Sequence, residues 1–165
     1  MWIYREKELK DEQIPKNSIG FVYLITNLKN NKKYIGRKLL TMAGYKQVKG
    51  VRKSVRKESD WRDYYSSSPE LKYDVEKNGK EHFKREILLF CETKTILNYY
   101  EEKLQYACGV LESPNWYNSN IRAKIFKKNI LHRVNPDYQD CLDKCKTLPP
   151  LPSLISLKGV IKGVD

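Results

Sequence analysis

A chain of 165 residues is the size of one domain with extensions, and it exceeds the length at which a small core needs disulfides or metals to fold. Its 32 Lys and Arg against 20 Asp and Glu leave a formal charge of +12, which calls for an acidic partner, nucleic acid being the commonest. No apolar run approaches the ~18 residues of a membrane span, the N-terminus MWIYREKELKDEQ lacks a signal peptide's apolar core, and Cys91, Cys108, Cys141 and Cys145 read as reduced thiols of a cytoplasmic protein.

Residues 1–18 are charged, with Trp2, Ile3 and Tyr4 as an apolar anchor, and are expected to pack as an arm onto the core, with Pro15 ending any regular structure in it. Two β-rich runs follow, Phe21-Val22-Tyr23-Leu24-Ile25 and Tyr34-Ile35-Gly36, around a stretch rich in Asn and Lys. Asn tolerates left-handed φ and bonds its own backbone, so the simplest reading is an antiparallel hairpin. Tyr23 and Tyr34 then stand on neighbouring strands, where their phenols can share a face. Residues 38–63 form a basic segment broken by Gly44 and Gly50; a β-excursion, a helix and a loop all fit it. Positions 29–62 hold twelve basic and two acidic residues, a net of +10, more than solubility requires. Arg37, Lys38, Lys49, Arg52, Lys53, Arg56, Lys57 and Arg62 are candidate contacts to a DNA backbone, and Trp61, Tyr64 and Tyr65 could stack on bases.

Ser68 is a good N-cap, Pro69 suits the first helical position and Asn78-Gly79 a stop, so a helix is expected over 69–78. Leu71 and Val75 would line its buried face and Asp74 would face solvent. Residues 83–91 read as the third strand of the sheet. Thr93 caps a second helix over 94–108. At about 100° per residue, Leu97, Tyr100, Leu104, Ala107 and Cys108 fall on one apolar arc, with Glu101 at its edge and Glu102 turned to solvent. A carboxylate aimed toward a core is costly unless a cation pairs with it, so Glu101 needs an Arg or a metal. Residues 114–118 form an aromatic turn, 121–129 a short basic helix whose Arg122 and Lys124 are further DNA contacts, and 136–146 can form another helix. Zinc would require Cys108, His132, Cys141 and Cys145, a spacing that fits no common zinc module. The order strand, strand, helix, strand, helix predicts an α+β fold, a small antiparallel three-stranded sheet flanked by helices. The expected organisation is an arm (1–18), a main domain (19–120) carrying the basic insertion (38–63), a basic helical extension (121–146) and a Pro-rich tail (147–165), extended or disordered.

The pair Phe21-Val22-Tyr23 and Tyr34-Ile35-Gly36, ten residues apart, resembles the signature of the GIY-YIG nuclease family. Phe21 and Val22 depart from the family's Gly and Ile; Tyr23 is kept. Further pieces follow in the family's order. Ser67-Ser68-Pro69-Glu70-Leu71 through Gly79 is similar to its Ser-rich turn and Leu-bearing helix. Tyr99-Tyr100-Glu101-Glu102 holds the place of its helical Glu, and Tyr117-Asn118 that of its Tyr-Asn turn. Ser66 stands where many members carry His. The stretches DWRDYYSSSPEL and WYNSNI are similar to free-standing phage endonucleases of homing type. The resemblance implies the GIY-YIG nuclease fold and a metal-dependent endonuclease acting on double-stranded DNA, in the host cytoplasm if phage-encoded. It implies that Glu101 holds one Mg²⁺ (or Mn²⁺), that Tyr23 is the general base, that Tyr34 supports the attacking water or the phosphate, and that Asn118 belongs to the site. For the family's catalytic Arg, Arg56 and then Arg52 match best by distance to the Ser-rich turn, while Arg37 adjoins the motif itself. Two other readings fit parts of the residues. A non-catalytic basic nucleic-acid-binding module would bind without metal and gives Glu101 no reason to border an apolar arc. A partner-binding protein on a decayed nuclease fold is opposed by intact Tyr23, Tyr34, Glu101 and Asn118.

Overall fold

Alternation of large apolar side chains builds the centre of the molecule. A computed structural model of the chain describes residues 1–121 and 135–147. Strands β1 (Ile3–Tyr4), β2 (Lys7–Glu8), β3 (Gly20–Asn27), β4 (Lys33–Leu39), β5 (Thr41–Val48), β6 (Val51–Glu58) and β7 (Phe83–Cys91) combine with helices α1 (Pro69–Asn78), α2 (Lys94–Ala107) and α3 (Tyr138–Lys146). The main sheet runs β2-β1-β7-β3-β4 and is antiparallel except where β1 lies parallel to β7. Every residue of β3 is buried, as a strand covered on both faces must be. Its Phe21, Tyr23 and Ile25 enter a core with Trp2, Trp61, Leu71 and Val75. Val22 and Leu24 enter a second core with Leu97, Tyr100 and Leu104 of α2 and Cys141 and Cys145 of α3.

The fold class is the expected one, but the sheet has five strands, not three. The two additional strands are two residues each, too short to show a period. The turn between them puts Arg5 and Glu6 at φ of 48° and 67° without the Asn or Gly that marks such turns. Trp2 anchors this segment; its indole donates to the Trp61 carbonyl at 2.8 Å. Helices α1 and α2 begin where their caps predict. Ser68 accepts from the Leu71 amide and Thr93 from the Ile96 amide. Asp74, expected to face solvent, is half-buried and accepts from the Tyr117 hydroxyl at 2.7 Å.

The basic insertion is a separate two-stranded ribbon, β5 with β6. Lys49 and Gly50 turn it with φ of 49° and 77°, the two positive values that a tight hairpin turn requires. Its root is fastened by the Ser59 amide on the Leu40 carbonyl and the Leu40 amide on the Ile19 carbonyl, both at 2.9 Å. No group of Cys, His, Asp and Glu among the described residues could hold a metal by itself. The expected helix over 121–129 with Arg122 and Lys124, His132 of the zinc alternative, and the tail beyond 147 lie outside the described residues.

Candidate active site

Strand β4 is an edge of the sheet, and the site is built around it. The segment after α2 runs alongside. The Lys33 amide donates to the Asn115 carbonyl at 2.9 Å and the Tyr117 amide to the Lys33 carbonyl at 2.8 Å. Asn118 completes the clamp with both ends of its amide: Oδ1 accepts from the Ile35 amide at 3.0 Å and Nδ2 donates to the Ile35 carbonyl at 2.7 Å. Gln105 of α2 donates to the same carbonyl at 3.0 Å. An exposed edge strand offers unpaired groups to other chains; here the pairing also fixes the strand that carries Tyr34, Gly36 and Arg37.

Gly36 pairs with Tyr23 across the hairpin. A Cβ on Gly36 would stand 2.6 Å from the Tyr23 hydroxyl and 2.6 Å from Tyr34 Cε1. The glycine is therefore needed for space, and the Tyr23 phenol lies across it. The two rings are 6.0 Å apart, centroid to centroid. The Tyr23 ring also lies 6.2 Å from that of Tyr64, so the three phenols are neighbours, and the Tyr34 hydroxyl meets Ser67 Oγ at 3.2 Å. Burial pushes the phenols of Tyr23, Tyr34 and Tyr64 above their ordinary range, Tyr23 furthest. The Lys38 ammonium lies 3.5 Å from the centre of the Tyr64 ring.

On the other side of the edge strand, Glu101 of α2 meets Arg37, Nε to Oε2 at 2.7 Å. The Glu101 side chain keeps 15% of its exposure. Burial pushes its carboxyl up to about 7, against the lowering effect of the Arg37 guanidinium. Tyr34, Arg37, Ser67, Glu101 and Asn118 line one polar cleft of about 300 Å³. A desolvated carboxylate facing such a cleft is the donor a hard divalent cation takes; Glu101 fits that part.

The family comparison agrees with this arrangement. Residues 2–121 match the family model described as "Putative endonuclease segE, GIY-YIG domain". The chain belongs to the GIY-YIG endonuclease family. It is a nuclease, and so a phosphodiester hydrolase. No curated protein and no solved structure matches the chain.

Of the residues that the GIY-YIG resemblance marks, the fold brings Tyr23, Tyr34, Glu101 and Asn118 to one strand edge. It does not bring Arg52 or Arg56 there. Both stand on β6 of the ribbon, and the guanidinium in the cleft belongs to Arg37. Glu102, expected in solvent, is 8% exposed, and its Oε1 has no partner among the described residues. Helix α2 packs on both β3 and β4, so its buried face is wider than the apolar arc. Among the other cations, Lys38 bonds Asp60 at 2.6 Å, Arg62 bonds Asp11 and Glu58 at 2.9 Å, and Lys49, Arg52, Lys53, Arg56 and Lys57 remain exposed on the ribbon. The sequence reading missed Gln105, which lies one turn beyond Glu101 on the same helix stripe, and Arg85. Arg85 is 4% exposed; its Nη1 donates to the Arg62 and Tyr64 carbonyls at 3.0 Å. It thereby holds the loop that presents Tyr64.

Proposed function

We propose that this nuclease is an endonuclease that hydrolyses phosphodiester bonds of double-stranded DNA with one divalent cation, Mg²⁺ or Mn²⁺, held by Glu101. The observation that carries the reading is the convergence at Gly36: two phenols on one side of the edge strand, and a desolvated carboxylate with a guanidinium on the other. When bound at Glu101, such a cation would neutralise charge on the scissile phosphate. The chain's own residues supply the rest. Arg37 lies within reach of the same phosphate and offers donors to its developing charge. Tyr23 Oη takes the proton of the attacking water. Because burial disfavours the phenolate, Tyr23 acts as a relay: as its Oη takes the water's proton it gives up its own to the Tyr34 hydroxyl, which passes one to Ser67 Oγ, and the exposed Ser67 releases one to bulk water. Asn118 acts by holding β4, and with it Tyr34 and Arg37, in place. A free-standing role of the phage homing type, in the host cytoplasm, fits a family whose description names an endonuclease.

The test is incubation with supercoiled plasmid in Mg²⁺ and in EDTA, beside Glu101→Ala. Expected is nicking or linearisation in Mg²⁺ alone, lost in the variant while its band shift on DNA persists. Cutting by Glu101→Ala at the wild-type rate would remove Glu101 from the chemistry. Band shifts without cutting in either buffer, on plasmid and on phage genomic DNA, would overturn the endonuclease reading.

A further inference from the structure

The ribbon has a chemistry that the cleft does not use. Each strand has eight residues, about 27 Å of extended chain at ~3.4 Å per residue. Cross-strand partners share a face, so the register sorts its side chains. One face carries Lys46 opposite Lys53 and Met42 opposite Lys57, with Val55 and the Val48–Val51 pair. The other carries Gln47 opposite Arg52, Tyr45 opposite Ser54, and Ala43 opposite Arg56. Six cations stand on this hairpin, Lys46, Lys49, Arg52, Lys53, Arg56 and Lys57, and none forms an ion pair among the described residues. Its one carboxylate, Glu58, is at the root and occupied by Trp61 Nε1 and Arg62 Nε, both at 2.9 Å. Placing Lys46 directly against Lys53 costs stability, a cost that an anionic partner removes.

We infer that this ribbon enters the major groove of duplex DNA and reads base edges with the Gln47, Arg52 and Arg56 face, while Lys46, Lys53 and Lys57 reach phosphates. A major groove about 12 Å wide admits a two-stranded ribbon. Arg bidentate to guanine and Gln bidentate to adenine are the side chains whose geometry matches base edges there, whereas an ammonium acts as a point charge suited to phosphate. The Arg52 guanidinium is already laid on the Tyr45 ring at 3.9 Å, which holds it on the reading face. Toward the root, Ser54 and Arg56 look across a groove to Glu92, Thr93 and Lys94 of the body; Tyr45, Gln47 and Arg52 farther out are exposed. The ribbon begins at Thr41, just past the end of β4 and three residues beyond Lys38, so the reading ribbon continues directly from the strand that carries the cleft's Tyr34 and Arg37. The ribbon thus gives the nuclease domain itself a means of selecting sequence.

This inference rests on the proposed function only in taking DNA as the partner. Its test is therefore binding in EDTA, where cleavage plays no part. A random-sequence duplex pool, sparsely methylated at guanine N7, is fractionated on the wild-type protein and on Arg52→Ala/Arg56→Ala, and the bound strands are sequenced. Expected is depletion of N7-methylguanine at fixed positions of an enriched motif. Loss of the two arginines relaxes the preference roughly tenfold or more at each base pair they read. Lys46→Ala/Lys53→Ala keeps the motif, weakens all sequences alike and lowers the salt slope by about 2. A wild-type protein indifferent to N7 methylation overturns the inference, and so does a motif that survives the loss of both arginines. Equal binding to duplex RNA, whose deep, narrow major groove excludes side chains, overturns it as well. A plasmid that is never cut, with the methylation pattern as expected, refutes the nuclease chemistry and leaves groove reading standing.

Discussion

At Glu101 one carboxylate meets two opposed demands: it is desolvated, and it must be ionised to hold a cation. Burial pushes it up to about 7. Between its ordinary value and about 7 the folded chain keeps a proton that the unfolded chain has lost, so ionising Glu101 costs stability as pH rises through that window. A cation must displace the same proton. The apparent Mg²⁺ affinity in a plasmid assay should therefore weaken about tenfold per pH unit below about 7 and level off above it; a profile flat across that range would detach Glu101 from cation binding. Gly36 makes a second residue-scale prediction. Alanine there would drive a methyl into the Tyr23 hydroxyl and the Tyr34 ring, each 2.6 Å away. Overpacking of this kind costs about 1–3 kcal/mol, and moving both phenols by about 1 Å should slow nicking on the order of 100-fold. A folded Gly36→Ala protein that nicks at the wild-type rate would show that the phenols do not need this approach. These residues were legible because Tyr23, Tyr34 and Gly36 sit on one hairpin whose spacing is local. Arg37 was legible as a cation but not as the cleft's guanidinium, since only the fold shows that Arg52 and Arg56 leave the body on a ribbon.

The element that decides the site is β4, an edge strand kept in register by side chains. Asn118 pairs both the amide and the carbonyl of Ile35, and Ile35 is itself fully buried. In Asn118→Ala the Ile35 amide loses that partner, while the carbonyl keeps Gln105. A buried group left unsatisfied costs about 1–3 kcal/mol, and each kcal/mol lowers the melting temperature by roughly 2–4 °C in a chain of this size. The expected outcome is a lower melting temperature together with slower nicking, because Tyr34 and Arg37 loosen with their strand. A variant with unchanged melting that has lost nicking would make Asn118 a direct participant instead. At this scale the sequence was readable wherever a local signal exists: Ser68-Pro69, Gly79 and Thr93 delimit α1 and α2, and the apolar run Phe83–Cys91 marks β7. It was unreadable where length or twist replaces pattern. Strands β1 and β2 are two residues long, and the ribbon is exposed on both faces at most of its positions, so burial leaves no period to find.

Across the whole molecule, charge and catalysis occupy different parts of one continuous strand path. The cleft is polar and partly desolvated, and the Arg37 guanidinium that lines it is tied to Glu101. Six cations without an ion pair among the described residues cluster on the ribbon, whose two strands pair chiefly with each other. The two parts should then be separable. Thr41 faces Glu58 at the ribbon's root, so residues 42–57 can be replaced by a two-residue Asn-Gly turn of the type that closes tight hairpins. Glu58 keeps Trp61 and Arg62, and Ser59 keeps Leu40. The shortened protein should melt within a few degrees of the full chain, since the excised surface is exposed and contributes little to stability. Its binding to duplex DNA should weaken, and the logarithmic salt slope should fall by about 2.7, roughly 0.9 for each of Lys46, Lys53 and Lys57. Mg²⁺-dependent nicking should persist at high protein concentration, because Tyr23, Tyr34, Arg37 and Glu101 all lie outside the excision. Titrations of wild type and excised protein at several salt concentrations measure the slope directly. An unchanged slope would mean that the ribbon does not meet phosphates and that the +10 of positions 29–62 acts through Lys29, Lys32, Lys33, Arg37, Lys38 and Arg62. Loss of nicking in a well-folded excised protein, even at saturating DNA, would mean that the ribbon completes the cleft after all and would return Arg52 and Arg56 to the chemistry.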